Sequence, residues 1–427
     1  MSRSKPPLPP DSLRIAIVGS GISGLTAAYY LSKQHRIEVF EKGHYLGGHT
    51  NTIDLALSDG DISVDTGFIV HNDRTYPNFL KLINKLEVPT QNTEMSFSLK
   101  DEVTGMEYNG GSLNKIFAQR SNLLRPRFYQ MLQEILRFNR TAKSFMEMND
   151  TDMDLGDFLK HFRFKQIFID KYLIPMGASI WSTVPQDMLK YPAHAFIRFF
   201  HHHGLLDLQN RPQWRSIPGG AREYVKRITK DFSDKVHLNH EVTEIIRHES
   251  GAQLRFKDGT KREYDEVILA CHSDQALQLL KEPSYAEIEI LGAIPYQENI
   301  AILHTDASVL PQRKLAWASW NYHLTEDTDA LAALTYQMNI LQLLNTQETV
   351  NVTLNRQELI DPEKIHRIIS YQHPLFTREG LIAQNQKNRI SGVNHTWFCG
   401  AYWHNGFHED GVVSALDVIR GLGGEPL

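Results

Sequence analysis

A short apolar run at residues 13–18 is rich in β-branched side chains and predicts a strand buried on both faces, as in a parallel sheet. A second apolar run at residues 37–40 predicts the next strand. Between them, small and apolar residues recur at helical spacing, at Leu25, Ala27, Ala28 and Leu31. Strand, helix and strand in this order are typical of a βαβ unit. The pattern therefore predicts an α/β fold.

Two later parts of the chain show other patterns. Residues 86–214 predict a largely helical cap, because their apolar side chains recur at helical spacing, most clearly at Phe128, Met131, Leu132, Ile135, Leu136 and Phe138. Residues 281–389 are richer in alternating and β-branched runs, and we expect strands at 299–304, 315–320 and 331–338. A second unit of α+β type is thus predicted beside the first.

The first predicted strand runs directly into a glycine-rich turn, Gly19, Ser20, Gly21, Ile22, Ser23 and Gly24, and the second ends at an acid, Glu41. The first glycine of such a turn allows the tight bend, the second lets a pyrophosphate approach the backbone, and the third lets helix and strand pack closely. The helix N-terminus attracts phosphate, and the acid accepts hydrogen bonds from ribose hydroxyls. A glycine turn without a ligand is the alternative, but the complete set predicts a Rossmann-type dinucleotide site.

Composition narrows the possible functions. The chain has 427 residues, 41% of them hydrophobic, and a formal net charge of −5. Its length predicts two or three domains, its apolar content excludes an intrinsically disordered chain, and its charge disfavours a nucleic-acid partner. No run approaches the roughly 18 apolar residues of a membrane span, and residues 1–12 predict a proline-rich lead-in rather than a secretory signal.

The only two cysteines, Cys271 and Cys399, show no disulfide or metal spacing and predict buried structural thiols. They fit a reducing compartment. Together with the lack of membrane and secretory signals, they lead us to expect a cytoplasmic protein with at most peripheral membrane contact.

The residues that follow Glu41 distinguish between nucleotides. Gly47, Gly48, His49 and Thr50 form a second glycine-rich turn after Lys42, and Asp65, Thr66, Gly67 and Phe68 follow it. Here the sequence resembles the superfamily of flavin amine oxidases and phytoene-type desaturases, in which a Gly-Gly-Arg-x-x-Thr element precedes an Asp-x-Gly turn. His49 stands where that superfamily usually has Arg. The resemblance implies that these residues, Lys42 and Thr66 to Phe68 included, contact FAD.

Three more segments extend this likeness. Residues 216–221 resemble the Pro-Gly-Gly turn, and residues 236–246, with Val242, resemble the strand beside the adenine. The last segment resembles the final flavin motif, in which a helix points its N-terminus at the isoalloxazine, and its matching residues are Gly400, Ala401, Glu409, Asp410, Gly411 and Val412. Such a dipole stabilises negative charge on the ring. The resemblance implies FAD as the cofactor, with Glu409 and Asp410 orienting the flavin turn.

A narrower resemblance rests on residues outside the cofactor motifs, at 74–79, 95–98, 177–182, 204–206 and 211–214. They are similar to the flavoproteins associated with cyclopropane fatty acid synthases, including the N-terminal oxidoreductase-like region of the plant enzymes. This similarity extends from about residue 13 to about residue 422. It implies a fatty acyl substrate, methyl-branched or still esterified to phospholipid, and a lipid-modifying synthase as a partner.

Because the cofactor motifs are scattered, the resemblance implies an amine-oxidase-like architecture with a discontinuous FAD-binding domain. We assign residues 1–85, 215–280 and 390–427 to this domain. Residues 86–214 and 281–389 then form a substrate domain of α+β type with a helical cap. The parallel sheet of the first domain binds ligands at the carboxyl ends of its strands.

Candidate catalytic residues come from the last motif and from one strand of the substrate domain. Phe407 matches the aromatic residue that related amine oxidases place before the flavin ring, and it can pack against an alkyl chain. His408 has the ordinary pKa of a base at neutral pH, although it could instead only hydrogen-bond a ribityl or backbone group. Asn299 matches the lysine that many amine oxidases place near flavin N5, which argues against ordinary amine oxidation.

Two other groups have simpler explanations. His201, His202 and His203 are consecutive, so their side chains diverge and no metal site is expected. Large aromatic side chains are more often core than ligand contacts. We therefore expect Trp214, Trp317 and Trp320 in the core, whereas Trp181 could equally line an acyl tunnel.

Three functions are consistent with the sequence. The leading hypothesis is an FAD-dependent oxidoreductase, desaturase- or dehydrogenase-like, that transfers hydride between an apolar acyl chain and flavin N5. The second is a flavin amine oxidase that produces hydrogen peroxide, and the third is a non-catalytic flavin-binding partner of a lipid-modifying synthase.

Overall fold

The computed structural model of the chain describes residues 11–148, 152–207, 209, 211–326 and 331–425. Most of the predicted lead-in therefore lies outside the described residues. The strands are, in chain order, β1 (Arg14–Val18), β2 (Arg36–Phe40), β3 (Thr52–Leu57), β4 (Gly60–Asp65), β5 (His71–Asn72), β6 (Gln91–Asn92), β7 (Phe97–Asp101), β8 (Met106–Asn109), β9 (Trp214–Ser216), β10 (Val236–His237), β11 (Val242–His248), β12 (Gly251–Phe256), β13 (Lys261–Tyr264), β14 (Glu266–Leu269), β15 (Tyr296–His304), β16 (Trp320–Leu324), β17 (Leu334–Gln337), β18 (Asn351–Leu354), β19 (Ile365–Pro374) and β20 (Thr396–Phe398).

The helices are, in chain order, α1 (Ile22–Leu31), α2 (Pro77–Lys85), α3 (Leu113–Ile116), α4 (Pro126–Met146), α5 (Leu155–His161), α6 (Gln166–Phe168), α7 (Ile174–Trp181), α8 (Ala193–His202), α9 (Arg222–Thr229), α10 (Ser273–Leu279), α11 (Tyr285–Gly292), α12 (Met338–Leu341), α13 (Arg378–Gln384) and α14 (His408–Gly421). Within the described part of the chain, each helix is too short or too polar to cross a membrane.

The first layer is a five-stranded sheet in the order β10-β2-β1-β14-β20, with every neighbouring pair parallel. Its strands come from the beginning, the middle and the end of the chain. Ile15, Ala16 and Ile17 are fully buried, as the continuous apolar run predicts for a strand covered on both faces. Helices α1, α9 and α14 contribute to the core on one face, and the antiparallel sheet β11-β12-β13 to the core on the other.

The second layer is a seven-stranded mixed sheet in the order β19-β15-β18-β17-β16-β7-β8. Strand β16 runs parallel to β7, with Trp320 opposite Phe97, and the other neighbours are antiparallel. Helices α4 to α8 form the cap, whose aromatic core is centred on Phe138, Phe158 and Phe168. This core also includes side chains of the seven-stranded sheet.

The structure differs from three secondary-structure predictions. Residues 236–246 form two strands in different sheets, because Asn239 takes a left-handed conformation (φ 51°) between them. Residues 314–316 form a 3-10 turn, so β16 begins only at Trp320. The predicted cap segment 86–214 contains β7 and β8, which belong to the seven-stranded sheet.

Asp65, at the end of β4, joins three parts of the fold. Its buried carboxylate accepts hydrogen bonds from Ala221 N at 2.9 Å, Thr52 Oγ1 at 2.5 Å and Gln342 Nε2 at 2.8 Å. Burial raises the pKa of Asp65 to about 7, while the hydrogen bonds from Thr52 and Ala221 oppose the rise. The donors come from β3, the residue before α9 and the residue after α12, so one carboxylate links three distant segments.

Candidate cofactor cleft and active site

The first glycine turn has the shape that close approach of a phosphate requires. Gly19 takes φ 105°, and a Cβ there would lie 2.7 Å from Ala270 O. A Cβ at Gly24 would overlap Gly19 O, so this glycine lets α1 pack against the end of β1. A Cβ at Gly21, in contrast, would meet no protein atom within 4 Å. The chain thus leaves open space at the glycine that faces the predicted pyrophosphate.

The second glycine turn lies directly against the first. Gly47 N donates to Ser20 O at 3.0 Å, and Gly21 forms a parallel bridge with Gly47. Phe68 N donates to His49 O at 2.7 Å, so the segment with Thr66 and Gly67 lies against the same loop. The structure therefore brings together three segments that the sequence assigns to the cofactor.

Glu41 lies at the carboxyl end of β2, beside the first turn. Its Oε2 accepts from Ser20 N at 3.1 Å and from Ser20 Oγ at 2.6 Å, and its Oε1 accepts from Gly43 N at 2.8 Å. The adjacent Lys42 is exposed. Val242 packs with Val18 and Phe40 at the predicted adenine end.

The last helix brings a second positive helix end to the cleft. A Cβ at Gly411 would lie 2.6 Å from Ile22 Cγ2 and 2.9 Å from Ser23 Oγ, so α14 meets α1 at the first turn of both helices. Ser414 Oγ accepts from Gly400 N at 2.9 Å and fixes the strand-to-helix turn that contains Ala401. Val412 is fully buried. Two helix N-termini thus converge where the glycine turns lie, which favours a bound anion.

Glu409 and Asp410 each bind protein groups. Glu409 accepts from Asn78 N at 3.0 Å, Asn78 Nδ2 at 2.6 Å and Phe79 N at 2.8 Å, and so caps the N-terminus of α2. Asp410 Oδ2 accepts from Phe407 N at 2.8 Å, which holds the turn before α14. Burial raises the pKa of Asp410 to about 7. Asp410 therefore orients the predicted flavin turn, whereas the Glu409 carboxylate is directed at α2.

His408 lies in a buried polar chain. Its ring stacks on Phe68 with centroids 3.7 Å apart, and its Nε2 lies 2.8 Å from Tyr224 Oη, which in turn lies 2.6 Å from Thr50 Oγ1. Burial holds the pKa of His408 well below its usual range, and His49 and His71 act in the same direction. The imidazole is therefore neutral and already has a partner. Its proposed role as a base stays a prediction.

Phe407 lies at one end of an aromatic wall, and most of the side chains in this wall belong to the cap. Trp181 lies 4.9 Å from Tyr191 and 4.8 Å from Phe199 between ring centroids, and Phe199 stacks on Phe407 at 5.1 Å. Phe376 lies 6.4 Å from Tyr191 and packs on the same core. The three tryptophans that the sequence predicts in the core lie elsewhere: Trp214 near Tyr76, Trp317 near Pro311, and Trp320 in the seven-stranded sheet.

A histidine cluster that the sequence analysis missed lies where the second glycine turn, the segment after β14 and strand β19 meet. His49 stacks on Tyr371 at 4.9 Å and lies 5.4 Å from His373 and 6.2 Å from His272 between ring centroids. Burial lowers the pKa of His49 and His272 to about 4 and that of His373 to about 3. Two signals could have revealed it: His272 directly follows a buried parallel strand, and Tyr371 and His373 are spaced for one face of a strand.

Asn299, the position that matches the family lysine, is fully buried on β15 and takes part in this cluster. Its Nδ2 lies 3.1 Å from His373 Nδ1, and its Oδ1 accepts from Asn355 Nδ2 at 2.8 Å. An amide N–H is a donor only, so His373 Nδ1 accepts this bond. The pair thus holds an uncharged imidazole in a fixed tautomer at the cleft.

These residues fit the implied FAD. Besides the open side of Gly21, two buried groups in the cleft have nitrogen atoms without a hydrogen-bond partner among the described residues: Nε2 of His49, and both ring nitrogens of His71. Buried polar groups of this kind normally have partners, and a flavin carries the donors and acceptors that supply them. The second glycine turn would hold the pyrophosphate and ribityl chain, and the turn before α14 would lie at the ring.

Other candidate groups lie outside the cleft or lack the required geometry. Within the described ranges, no three His, Cys, Asp or Glu side chains are grouped to hold a metal ion. His203 stacks on Phe199 at 3.8 Å, whereas the His201 and His202 rings lie 6.0 Å apart. Cys271 and Cys399 are both free thiols, and burial raises the pKa of each to about 12.

Sequence comparisons give one family and related proteins. Residues 22–332 match the family model described as flavin containing amine oxidoreductase. The chain is 26% identical over 274 residues to AofH of Mycobacterium tuberculosis strain H37Rv, which carries the provisional name flavin-containing monoamine oxidase. The aligned part covers 61% of this chain and only 57% of AofH.

Solved structures share the fold. Cyclohexylamine oxidase from Brevibacterium oxydans IH-35A superposes with a TM-score of 0.68 at 14% identity, covering 96% of this chain and 100% of that one. A CLA-producing fatty acid isomerase from P. acnes superposes with a TM-score of 0.65 at 15% identity, covering 98% and 99%. Identities this low show a common fold and nothing finer.

Proposed function

We propose that this chain, which belongs to the family of flavin containing amine oxidoreductases, is an FAD-dependent oxidoreductase of apolar, fatty acyl substrates. In the proposed reaction a hydride and a proton leave adjacent carbons of the acyl chain, and a carbon–carbon double bond forms. Bound FAD would supply the two-electron oxidant for this reaction, with dioxygen or another electron acceptor as the final oxidant. The substrate is a methyl-branched or phospholipid-bound acyl chain.

The observation that carries this proposal is the aromatic wall of Trp181, Tyr191, Phe199, Phe376 and Phe407. It extends from the interior of the cap to the turn before α14. Trp181, Tyr191 and Phe199 are at most 8% exposed and support the half-buried Phe376 and Phe407, whose apolar rings can contact an alkyl chain. None of its side chains carries a carboxylate that could pair with an ammonium group. The nearest histidine, His203, is neutral at physiological pH because burial lowers its pKa to about 4.

The chain's own groups then have separate tasks. The glycine turns and the ends of α1 and α14 bind and orient the cofactor, which supplies hydride transfer when bound. The wall excludes water and positions the acyl chain. Because His373 Nδ1 accepts from Asn299 at 3.1 Å, its hydrogen lies on Nε2 and the imidazole offers the cleft an uncharged donor. Burial lowers the pKa of His373 to about 3, so the proton that accompanies hydride removal goes to solvent water.

Anaerobic titration tests the proposal. Purified protein loaded with FAD is mixed with fatty acids or phospholipids, and bleaching of the flavin absorbance is followed before the lipid is analysed by mass spectrometry. We expect bleaching and a product lighter by two hydrogen atoms. A flavin that no lipid extract reduces would contradict the proposal and favour a non-catalytic partner of a lipid-modifying synthase.

Amine oxidation is the second candidate, because AofH and the cyclohexylamine oxidase are named for amine substrates. It predicts hydrogen peroxide from primary amines or polyamines in air. Asn299 disfavours it, since a neutral amide replaces the lysine of many amine oxidases. A panel of amines in a peroxide assay separates the two: peroxide with amines, together with no bleaching by lipids, would replace the acyl proposal.

A further inference from the structure

The outer surface of the cap carries a segment whose charge differs from that of the whole protein. Residues 111–133 contain Lys115, Arg120, Arg125 and Arg127 and no Asp or Glu, whereas the formal net charge of the chain is −5. The first acid beyond it, Glu134, is buried and pairs with Arg137 at 2.6 Å. This stretch is therefore a local positive surface on an acidic protein.

Large apolar side chains project from the same segment. Leu124 is 86% exposed, Leu113 77%, Leu123 47% and Tyr129 40%. A shallow cleft of about 400 Å³ is lined by Leu123, Leu124, Pro126, Tyr129, Gln130 and Gln133. Isolated exposed leucines are common, but a contiguous apolar patch beside polar side chains marks an interaction site.

Hydrogen bonds fix the backbone of the turn that carries Leu123 and Leu124. Tyr129 Oη donates to Leu123 O at 3.1 Å, and the Tyr129 ring lies 5.9 Å from that of Phe117. Asn122, in the same 3-10 turn, is fully buried, and its Nδ2 donates to Glu107 O at 3.0 Å. The apolar side chains are therefore presented outward by a fixed backbone.

Most cationic side chains of this segment lack a carboxylate partner among the described residues. Arg120 donates to Phe117 O at 3.0 Å and to Asn114 Oδ1 at 2.7 Å, and Arg125 donates to Asn122 Oδ1 at 3.3 Å. Within the described ranges, Arg120, Arg125 and Arg127 form no ion pair with a carboxylate. Only Lys115 does, with Glu94 at 3.0 Å. Three positive charges thus remain uncompensated beside exposed leucines.

We propose that this surface, here called the docking face and formed by Leu113, Leu123, Leu124, Tyr129, Arg120, Arg125 and Arg127, binds peripherally to the anionic headgroup surface of a phospholipid bilayer. Leucine and tyrosine side chains enter the boundary of headgroups and acyl chains, and arginines bind lipid phosphates. A symmetric dimer through this face would bring like charges together, whereas the anionic headgroups of a bilayer compensate them. The inference goes beyond the proposed function, because binding to vesicles needs neither turnover nor an identified substrate.

Vesicle co-sedimentation of the full chain loaded with FAD tests the docking face. We expect binding to phosphatidylcholine vesicles that contain phosphatidylglycerol, little binding to phosphatidylcholine alone, and weaker binding at high salt. The double variant Arg120→Gln/Arg127→Gln removes two charges and should lower the partition coefficient by about fivefold per charge. Leu123→Ser/Leu124→Ser should lower it by tenfold or more, since burial of two leucine side chains is lost.

The matched control is Tyr285→Ser/Ile288→Ser, which removes two exposed apolar side chains of α11 (81% and 50% exposed) and should bind like the wild type. All three variants change exposed groups, and FAD content in the same samples reports folding. Equal binding by wild type and both docking-face variants would overturn the proposal. So would a concentration-dependent dimer that only the leucine variant abolishes, because the face would then bind a second copy.

Discussion

Gly21 and Gly24, three residues apart in the first turn, are glycines for different reasons. Gly24 must lack a side chain because Gly19 O occupies that space in the protein itself, whereas a Cβ at Gly21 would meet nothing in the chain. Gly21 also has an ordinary φ of −67°, so its backbone does not require glycine. A ligand that approaches the backbone at that position explains why a side chain is absent there.

Alanine at each position should therefore give distinct results. Gly21→Ala should leave the melting temperature of the FAD-free protein unchanged and weaken FAD binding by about tenfold or more, since the methyl group enters the pyrophosphate space. Gly24→Ala should lower the stability of the FAD-free protein by about 1–3 kcal/mol through overpacking. Thermal melts and FAD titration measure both effects. A destabilised FAD-free Gly21→Ala protein would show that the turn, not a ligand, needs this glycine.

His373 offers a second prediction at this scale, which rests on the proposed reaction. His373→Phe removes the Nε2–H donor that Asn299 orients and should slow anaerobic flavin bleaching by acyl lipids by about tenfold or more. His366→Phe is the matched control, because His366 is exposed on the same strand β19. FAD occupancy is measured in each sample. Unchanged bleaching in His373→Phe at full occupancy would remove His373 from the mechanism.

Among helices, α2 and α14 are joined by one side chain. Glu409 at the start of α14 accepts three hydrogen bonds from the first turn of α2, whose positive end favours a carboxylate. The sequence resemblance assigned Glu409 to the cofactor, because a motif aligns residues but does not show which way a side chain turns.

Glu409→Gln tests this assignment. The neutral amide accepts fewer and weaker hydrogen bonds, so the free energy of unfolding should fall by about 1–2 kcal/mol while FAD binding stays within twofold. Urea titration of the FAD-free protein and FAD titration give the two quantities. Asp410→Asn is the comparison, since Asp410 holds the predicted flavin turn and its loss should weaken FAD binding. Loss of FAD without loss of stability in Glu409→Gln would return Glu409 to the cofactor site.

The local sequence was sufficient to predict β1, α1, β2 and the glycine turn. These elements are determined by hydrophobic periodicity, apolar runs and glycine positions that span only a few residues. It was insufficient for β7 and β8, which lie in the segment predicted to be helical. Strand β7 pairs with β16, more than two hundred residues away, and β8 pairs with β7. The cluster of His49, His272 and His373 was missed for the same reason, since three separate segments supply it. A position after a buried strand marks His272, and the spacing of a strand face marks His373. Neither signal shows that the two side chains lie close together.

For the molecule as a whole, buried histidines should set the acid stability. Unfolded histidine takes up a proton below about pH 6.5, whereas burial lowers the folded pKa values to about 4 or less at His49, His71, His203, His272, His304 and His373. Burial also holds the pKa of His408 well below its usual range. Their contribution to stability is thus present above pH 6.5 and is lost as the pH falls towards 4. Asp65 and Asp410, with pKa values raised to about 7, act in the opposite direction but are fewer.

Urea unfolding of the FAD-free protein at pH 7.5 and at pH 5.5 measures this effect. We expect the free energy of unfolding to be lower at the acidic pH by roughly 2–4 kcal/mol. His304→Gln should reduce the difference, because His304 is fully buried and its Nδ1 accepts from Asp306 N at 3.1 Å, which excludes a proton there. A protein equally stable at both values would contradict the predicted charge state of these side chains.

The parallel sheet places β20, close to the end of the chain, beside β14, which itself pairs with β1. Helix α14 cannot pack on α1 until residues 396–421 have left the ribosome. The first βαβ unit therefore cannot complete the nucleotide pocket by itself, however early it folds. The pocket stays open on one side until residues more than 370 positions after β1 have joined the same sheet.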